Sequence, residues 1–249
     1  IVIGAGSLSA FVCEQLVRNG VDVMTIMDSD VFIAGNLCRH VLNLQDISKN
    51  KAEALRDHLN KINLHAKITA MDSLSQDNIN EILRADVIID CSANDKVLKL
   101  ISEIKWKANA KFISVSFGYN ADHLYLSFGL AKTFSYDKFI NEFKEALDKD
   151  SEKYHFEDLP WEGIGCWSPV FPAKTSDVML AAATAVGVIT GIIEKGITDS
   201  RNYIYRKRYD QEEILIGYEP MNKNVIIKKQ AKREQMASIL LFWKRAERV

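Results

Sequence analysis

The sequence predicts a doubly wound, Rossmann-like α/β fold, parallel through its first half and continued by a mixed or antiparallel extension. Three observations lead there. Strand-like and helix-like patterns alternate from residue 1 to residue 117, the signature of a parallel sheet covered on both faces. A glycine-rich turn, Gly4-Ala5-Gly6, joins the first strand to the first helix. Short β-rich segments then gather after residue 200, behind one long apolar helix.

Taken in order, Ile1 to Ile3 is an apolar strand ending at Gly4. Residues 7 to 19 read as a helix with Leu8, Val12, Leu16 and Val17 on one face. Val21 to Met27 is β-rich, and residues 50 to 62 place Ala52, Leu55, Leu59 and Ile62 on one helical side. Lys67 to Met71 is a third strand, Ala85 to Cys91 a buried fourth, 95 to 108 a helix, and Lys111 to Phe117 a further strand. Residues 137 to 162 are strongly acidic with interspersed aromatics, and read as a helix followed by a long loop; loops of that length in compact domains tend to be functional. The apolar helix from Val178 to Ile193 follows, then strands at Asn202–Tyr209, Ile214–Tyr218 and Asn224–Ile227, and a basic amphipathic helix from Lys228.

Composition narrows the function classes. The chain has 249 residues, 47% hydrophobic and 26% charged, which is ordinary for a globular protein. Its net charge of -1 argues against a duplex nucleic acid as partner. The Val178–Ile193 stretch is shorter than the roughly 20 residues a membrane helix needs, so a buried helix is expected and no membrane partner. Cys13, Cys38, Cys91 and Cys166 show no C-x-x-C spacing and suit a reduced, cytoplasmic protein. His58, His65, His123 and His155 form no readable metal or catalytic spacing. Because the chain starts at Ile1, directly in a strand and without Met, it is expected to be a fragment lacking an N-terminal region.

The chemistry concentrates at the first turn. Gly4 permits a tight turn, Gly6 lets a phosphate approach the backbone, and the following helix offers free N–H groups and a partial positive charge. Ser9 replaces a third glycine and is small enough for close helix–strand packing. Asp28 ends the second strand, where an acidic side chain can accept hydrogen bonds from ribose hydroxyls. So far a nicotinamide-dinucleotide enzyme fits equally well. The sequence then continues Asp28-Ser29-Asp30-Val31, Asn36-Leu37-Cys38-Arg39, and Lys51 at the head of the next helix. A dinucleotide site needs no such cationic pair. A site that expels pyrophosphate does, because charge grows on the leaving phosphates.

This combination resembles the ThiF/MoeB/HesA and ubiquitin-activating (E1-like) superfamily, with its Gly-rich loop, D-x-D-x-V, N-L-x-R and a following Lys. The resemblance runs from Ile1 to at least the helix ending near Ile193, within a single adenylation domain over 1–249 that carries an acidic insert and cysteine loop at 132–175. It implies ATP and Mg2+ as cofactors. It places Asp28 on the ribose and Asn36, Arg39 and Lys51 along the triphosphate, with Asn94 also at the nucleotide and Asp90 as the metal carboxylate. It also implies a ubiquitin-like or sulfur-carrier protein as substrate, a homodimer through the apolar helix with Gly187 and Gly191, and a downstream conjugating protein. Two positions depart from the family: His40 stands where Gln is usual, and Ala93 replaces the second Asp of D-x-x-D-N, leaving Asp90 or the displaced Asp95 to supply the carboxylate.

Cys166 lies in Gly165-Cys166-Trp167-Ser168-Pro169, after the acidic segment. In zinc-binding relatives this region carries a C-x-x-C, but Pro169 takes the second place here, so no structural zinc is expected. In ubiquitin-activating relatives a mobile segment before this helix carries a thioester cysteine, and Cys166 suits that role. A remnant of the zinc motif or a small buried hydrophobe remains open for it. The expected function is adenylation of a carrier protein's C-terminal carboxylate, with thioester transfer to Cys166. The alternatives are a tRNA-modifying dehydratase of the same family, an inactive nucleotide-binding scaffold, or an NAD oxidoreductase for which no hydride-transfer residue stands out.

Overall fold

In the computed structural model, residues 1–74, 79–153 and 173–221 are described. The chain runs β1 (Val2–Ile3), α1 (Ser7–Arg18), β2 (Val23–Met27), α2 (Lys51–Leu59), β3 (Lys67–Met71), α3 (Ile79–Ile82) and β4 (Val87–Asp90). It continues through α4 (Asp95–Glu103), β5 (Lys111–Phe117), β6 (His123–Leu130), α5 (Tyr136–Lys153), α6 (Thr175–Glu194), β7 (Arg201–Tyr209) and β8 (Leu215–Pro220). One eight-stranded sheet results, in the order β3-β2-β1-β4-β5-β6-β7-β8. Pairings from β3 through β5 are parallel and those from β5 through β8 antiparallel, as the sequence predicts.

The central strands are apolar on both faces because each face meets a core. Val2 and Ile89 point into one core with α1, α2 and α6, while Ile3 and Ile88 point into the other with α3 and α4. Alternation of side chains along a strand assigns neighbouring residues to opposite layers. Seven apolar residues of α6, among them Val178, Ala182, Val186 and Ile189, are buried against α1 and the sheet, so much of its apolar surface belongs to the core.

β3 and β5 have the predicted bounds, and most other elements differ only at their ends. The helix expected over 95–108 stops at Glu103, because Trp106 folds back and its indole N–H donates to the Ile101 carbonyl at 2.9 Å. The strand β6 is absent from the sequence-based reading. Leu124, Leu126 and Phe128 alternate with Tyr125, Ser127 and Gly129, a period-two signal. The turn before it is left-handed at Asn120, φ 57°, a residue that tolerates that region, and also at Ala121, φ 50°, which rarely adopts it and gives no turn signal in a sequence. The expected strand at 224–227 and the helix from 228 lie outside the described residues.

A buried lysine ties the antiparallel half to the start of α6. Lys207, 5% exposed, places Nζ 3.1 Å from the Asp177 carboxylate and donates to the Asn120 carbonyl at 2.6 Å. Its backbone N–H donates to the Asp122 carbonyl, and the Tyr218 hydroxyl donates to the Ala121 carbonyl. The left-handed turn is thus held by β7 and β8 together. Removing one partner of a buried ion pair leaves the other uncompensated, so Lys207→Met is expected to lower stability by about 3 kcal/mol. Urea denaturation monitored by circular dichroism checks this, and an unchanged midpoint contradicts it.

Candidate nucleotide-binding site

The chain passes from β1 to β2 on one side and returns through β3 to β4 on the other. β1 and β4 stay paired to their ends, but the connections that follow them lead to α1 on one face and α4 on the other, which opens the crevice in which doubly wound sheets bind ligands. Gly4 occupies it first. Its φ is +94°, and a Cβ there would lie 3.1 Å from the carbonyl carbon and oxygen of Cys91 and from Ser92 Cα. Gly6 differs. Its φ of −76° and ψ of −173° suit any residue, and a Cβ would meet nothing within 4 Å. Gly6 is the N-cap of α1, and no side chain caps that helix. The protein's own packing does not require glycine at position 6, whereas an approaching phosphate would profit from it.

The loop is held from several directions. Asp28 accepts from the Ala5 N–H at 2.6 Å through Oδ2 and from the Asp30 N–H at 2.8 Å through Oδ1. Its carboxylate retains lone pairs for a further donor. Ser9, fully buried, donates its hydroxyl to the Gly4 carbonyl at 2.5 Å. His40, buried against Phe32, places Nε2 2.9 Å from the Ala5 carbonyl, and its Nδ1 accepts from the Leu42 N–H at 3.2 Å. Burial foremost, with Lys51 nearby, holds the His40 imidazole below its ordinary pKa. Neither the Ser9 nor the His40 contact was legible in the sequence. The only signal was that each departs from the family's usual residue.

Two cavities adjoin this loop, each of about 260 Å³, and Gly6 and Cys91 lie on the wall of both. One is lined by Gly4, Asp28, Asp30, Lys51, Asp72 and Asn94. The other is lined by Ser7, Arg39, Ala93, Ser116, Phe117 and Ala173. Lys51 pairs with Asp30 at 2.9 Å, and its backbone N–H donates to the Asp30 carbonyl. Asn50 caps α2 and donates its amide to the Asp28 carbonyl at 2.9 Å, which carries the lysine to the end of β2. Asn36 accepts from the Ile33 N–H at 3.2 Å and opens the 3₁₀ turn Ala34–Arg39 that delivers Arg39, half-buried, to the second cavity.

Gly4, Gly6, Asp28, Arg39, Lys51 and Asn94 are thus brought together. Asp90 lines neither cavity. It is 1% exposed, and its carboxylate accepts from the Ser92 N–H and hydroxyl at 3.1 and 2.6 Å and from Ser114 at 3.4 Å, the geometry of a strand-end cap. Burial pushes it up to about 6 against the hydrogen bonds from Ser92 and Ser114. Asp95 opens α4 and is exposed. Among the described residues no group of three His, Cys, Asp or Glu side chains is placed to hold a metal. Magnesium that arrives with phosphates needs only one or two protein carboxylates, and Asp28, Asp30 and Asp72 border the lysine cavity.

Cys13 is buried and pushed up to about 12, chiefly by burial, and Cys91 is raised for the same reason, which disfavours the thiolate at both. Cys91 sits one residue beyond β4, partly exposed, rather than within the strand. Cys38 is exposed. Cys166 lies outside the described residues.

An uncapped helix N-terminus at a sheet's switch point, with an acidic residue closing the second strand and cations on the adjoining walls, defines a Rossmann-like nucleotide-binding domain. More particularly, the chain belongs to the ThiF family, whose sequence model matches residues 1–202. It is 34% identical over 212 residues to the ATP-dependent ubiquitin transferase-like protein Cap2 of Enterobacter hormaechei, covering 84% of this chain and 34% of that protein. It is 29% identical over 117 residues to the molybdopterin-synthase adenylyltransferase of Escherichia coli, covering 46% of this chain and 47% of that one. The chain thus spans about a third of the first relative and half of the second. Among solved structures, E. coli MccB with ATP aligns at a TM-score of 0.57 and 17% identity over 89% of this chain and 62% of that one, a likeness of fold alone.

The two glycines are expected to part on substitution. Gly4→Ala forces a left-handed alanine against the Cys91 carbonyl and should cost about 2 kcal/mol or more. Gly6→Ala should cost within about 1 kcal/mol. Urea unfolding of both variants decides it, and equal losses would contradict the distinction.

Asp90 makes a pH prediction. Its folded pKa exceeds the ordinary 3.8, so between about pH 4 and 6 the unfolded chain gives up a proton that the folded protein keeps. Stability from this group is therefore lost as pH rises through that window, by on the order of 2–3 kcal/mol. Asp90→Asn should flatten the fall relative to the unsubstituted protein, read as the difference between their unfolding free energies at pH 4.5 and 7. Parallel curves would count against it.

Proposed function

We propose that this chain is the ATP-binding domain of an enzyme that adenylates the C-terminal carboxylate of a ubiquitin-like or sulfur-carrier protein. The observation that carries the reading is the placement of Lys51 and Arg39 in two cavities that share Gly6 and the uncapped start of α1. Donors fixed where charge develops stabilise a departing pyrophosphate without reorganising during the reaction.

In this reading the adenosine ribose lies by Asp28 and the phosphates lie across the Gly6 N–H and the first turn of α1. Asn36 and Asn94 border the nucleotide. Lys51 exchanges Asp30 for a phosphate, an easy exchange because Asp30 is exposed. The carboxylate oxygen of the carrier attacks the α-phosphorus, the bond from that phosphorus to the bridging oxygen breaks, and acyl-adenylate and pyrophosphate result. Magnesium bound with ATP would neutralise its phosphates. The lysine cavity supplies carboxylates for it directly, and Asp90 serves only if it turns from Ser92. Cys166 then attacks the acyl carbon as thiolate, forming a thioester and releasing AMP. The outward face of α6, where Gly187 is exposed and Gly191 has open space beside it, is the proposed dimer contact. A separate conjugating protein would receive the acyl group in the cytoplasm. The resemblance to Cap2, described as a ubiquitin transferase-like protein, supports the thioester branch over sulfur transfer.

ATP–pyrophosphate exchange with candidate carrier proteins tests the proposal. Arg39→Ala and Lys51→Ala should each slow it by about 100-fold or more while leaving the melting temperature nearly unchanged. Cys166→Ala should keep exchange but lose a reductant-sensitive enzyme–carrier band on a non-reducing gel. Near-normal exchange in both cation variants overturns the site. Exchange without any such band in the unsubstituted enzyme turns the reading to sulfur-carrier activation or tRNA dehydration.

A further inference from the structure

We propose that His40 is a positioning residue that aims the Gly6 N–H at a bound phosphate and locks the Arg39 segment to the glycine loop. The inference rests on the nucleotide reading only for the identity of the ligand. Its physical content lies in the unliganded fold.

The tautomer follows from the hydrogen bonds. Nδ1 accepts from the Leu42 N–H at 3.2 Å and so carries no proton. Nε2 is therefore the N–H, and it donates to the Ala5 carbonyl at 2.9 Å. That carbonyl belongs to the peptide joining Ala5 to Gly6. The peptide is trans, so its N–H points opposite to its C=O. Holding the carbonyl on His40 turns the Gly6 N–H away from the protein interior and toward the cavity walls that Gly6 lines. Among the described residues that N–H has no hydrogen-bond partner. The preceding peptide is held independently, its N–H by Asp28 and the Gly4 carbonyl by Ser9. The 5–6 peptide is thus oriented by His40 and by little else.

The same ring fastens a second element. Its Nδ1 holds Leu42 and its ring packs at a tilt against Phe32, so the stretch that begins at Arg39 is tied to the loop through one side chain. A phosphate donor and a cation on neighbouring walls are set in register by a buried imidazole 35 residues from the loop carbonyl it holds.

The arrangement is conditional on charge. Adding a proton to Nδ1 points an N–H at the Leu42 N–H, and that contact must open. Lys51 and His58, from α2, disfavour the imidazolium, while Asp28, at the end of β2, favours it. Burial outweighs these, so the ring stays neutral near pH 7 and charges only in acid. A glutamine offers the same donor and acceptor without a titrating group. His40→Gln is therefore the conservative variant.

Two measurements on the whole chain decide the matter. The first needs no nucleotide: the Gly6 amide resonance and its hydrogen exchange should change in His40→Ala and return in His40→Gln. The second is calorimetric binding of ATP and of pyrophosphate at pH 7.5 and 5.5. His40→Ala should bind about tenfold more weakly at pH 7.5, the worth of one buried hydrogen bond, and His40→Gln should recover most of that loss. On acidification the unsubstituted protein should lose affinity relative to His40→Gln, and the gap should widen as the pH falls further below the ordinary imidazole range. Comparing the two proteins removes the titration of the phosphates themselves. An unaltered Gly6 amide in His40→Ala, or parallel acid profiles for the unsubstituted protein and His40→Gln, overturns the proposal. Should His40→Ala not fold, the comparison with His40→Gln decides alone. If the unsubstituted protein binds neither ATP nor pyrophosphate, the adenylation reading falls, and the Gly6 amide still decides the role of His40.

Discussion

At residue 4 the chain turns with a positive φ directly over the backbone of Cys91 and Ser92, so close that no side chain fits between them. β1 and β4 can stay paired to their ends, with their connections leaving to opposite faces, only because that approach is possible. The Gly4 N–H donates to the Met27 carbonyl at 2.7 Å, so the same residue joins the loop to β2 as well as to β4. Asp28 then holds Ala5, Ser9 holds the Gly4 carbonyl, and His40 holds the Ala5 carbonyl. Every polar backbone group of the turn that faces inward is engaged. The donors left over, at Gly6 and in the first turn of α1, are those that face the cavities. An anion site made of backbone depends on this division, since a loop free to rotate its peptides presents carbonyl oxygens as readily as N–H groups.

How much of this was legible in the sequence depends on how local each signal is. β3 and β5 were readable to the residue because β-rich runs there are bounded by polar or turn residues. The phosphate loop, Asp28 and Lys51 were readable because their spacing is a motif. β6 was not read, although its alternation is in the sequence, because its preceding turn uses left-handed Asn120 and Ala121 held in place by Lys207 and Tyr218 from strands far along the chain. Long-range stabilisation of an unfavourable local conformation leaves no local trace. His40 is the same problem inside the site. Its ring nitrogens meet Ala5 and Leu42, and nothing near position 40 indicates a partner 35 residues earlier.

Asp28 shows the opposite limit, a residue the motif singles out but whose contacts go beyond what the motif states. Both of its oxygens already accept backbone N–H groups from the loop and from Asp30. A carboxylate so engaged is fixed in orientation before any ligand arrives, and a fixed acceptor loses less entropy on binding than a free one. The same is true of Lys51, whose side chain is 14% exposed and already directed to the end of β2 by Asp30. The pair is preorganised, yet its acidic member is 67% exposed and weakly bound. Position is thereby obtained without a strong competing salt bridge.

Ala93, in place of a second aspartate, changes the charge of only one of the two cavities. It lines the cavity that holds Arg39, and among the described residues no acidic side chain lines that space. The lysine cavity has three, Asp28, Asp30 and Asp72. The two walls therefore differ in their lining, with Arg39 and a helix N-terminus on one and carboxylates facing a lysine on the other. An anionic group is favoured beside Arg39, where both fields act in the same sense. On the other wall the three aspartates offset the charge of Lys51, so an anion is drawn there less strongly. With an aspartate at 93 the Arg39 wall would be partly neutralised. Alanine at 93 thus keeps a carboxylate off one side of Gly6 and leaves the aspartates confined to the other.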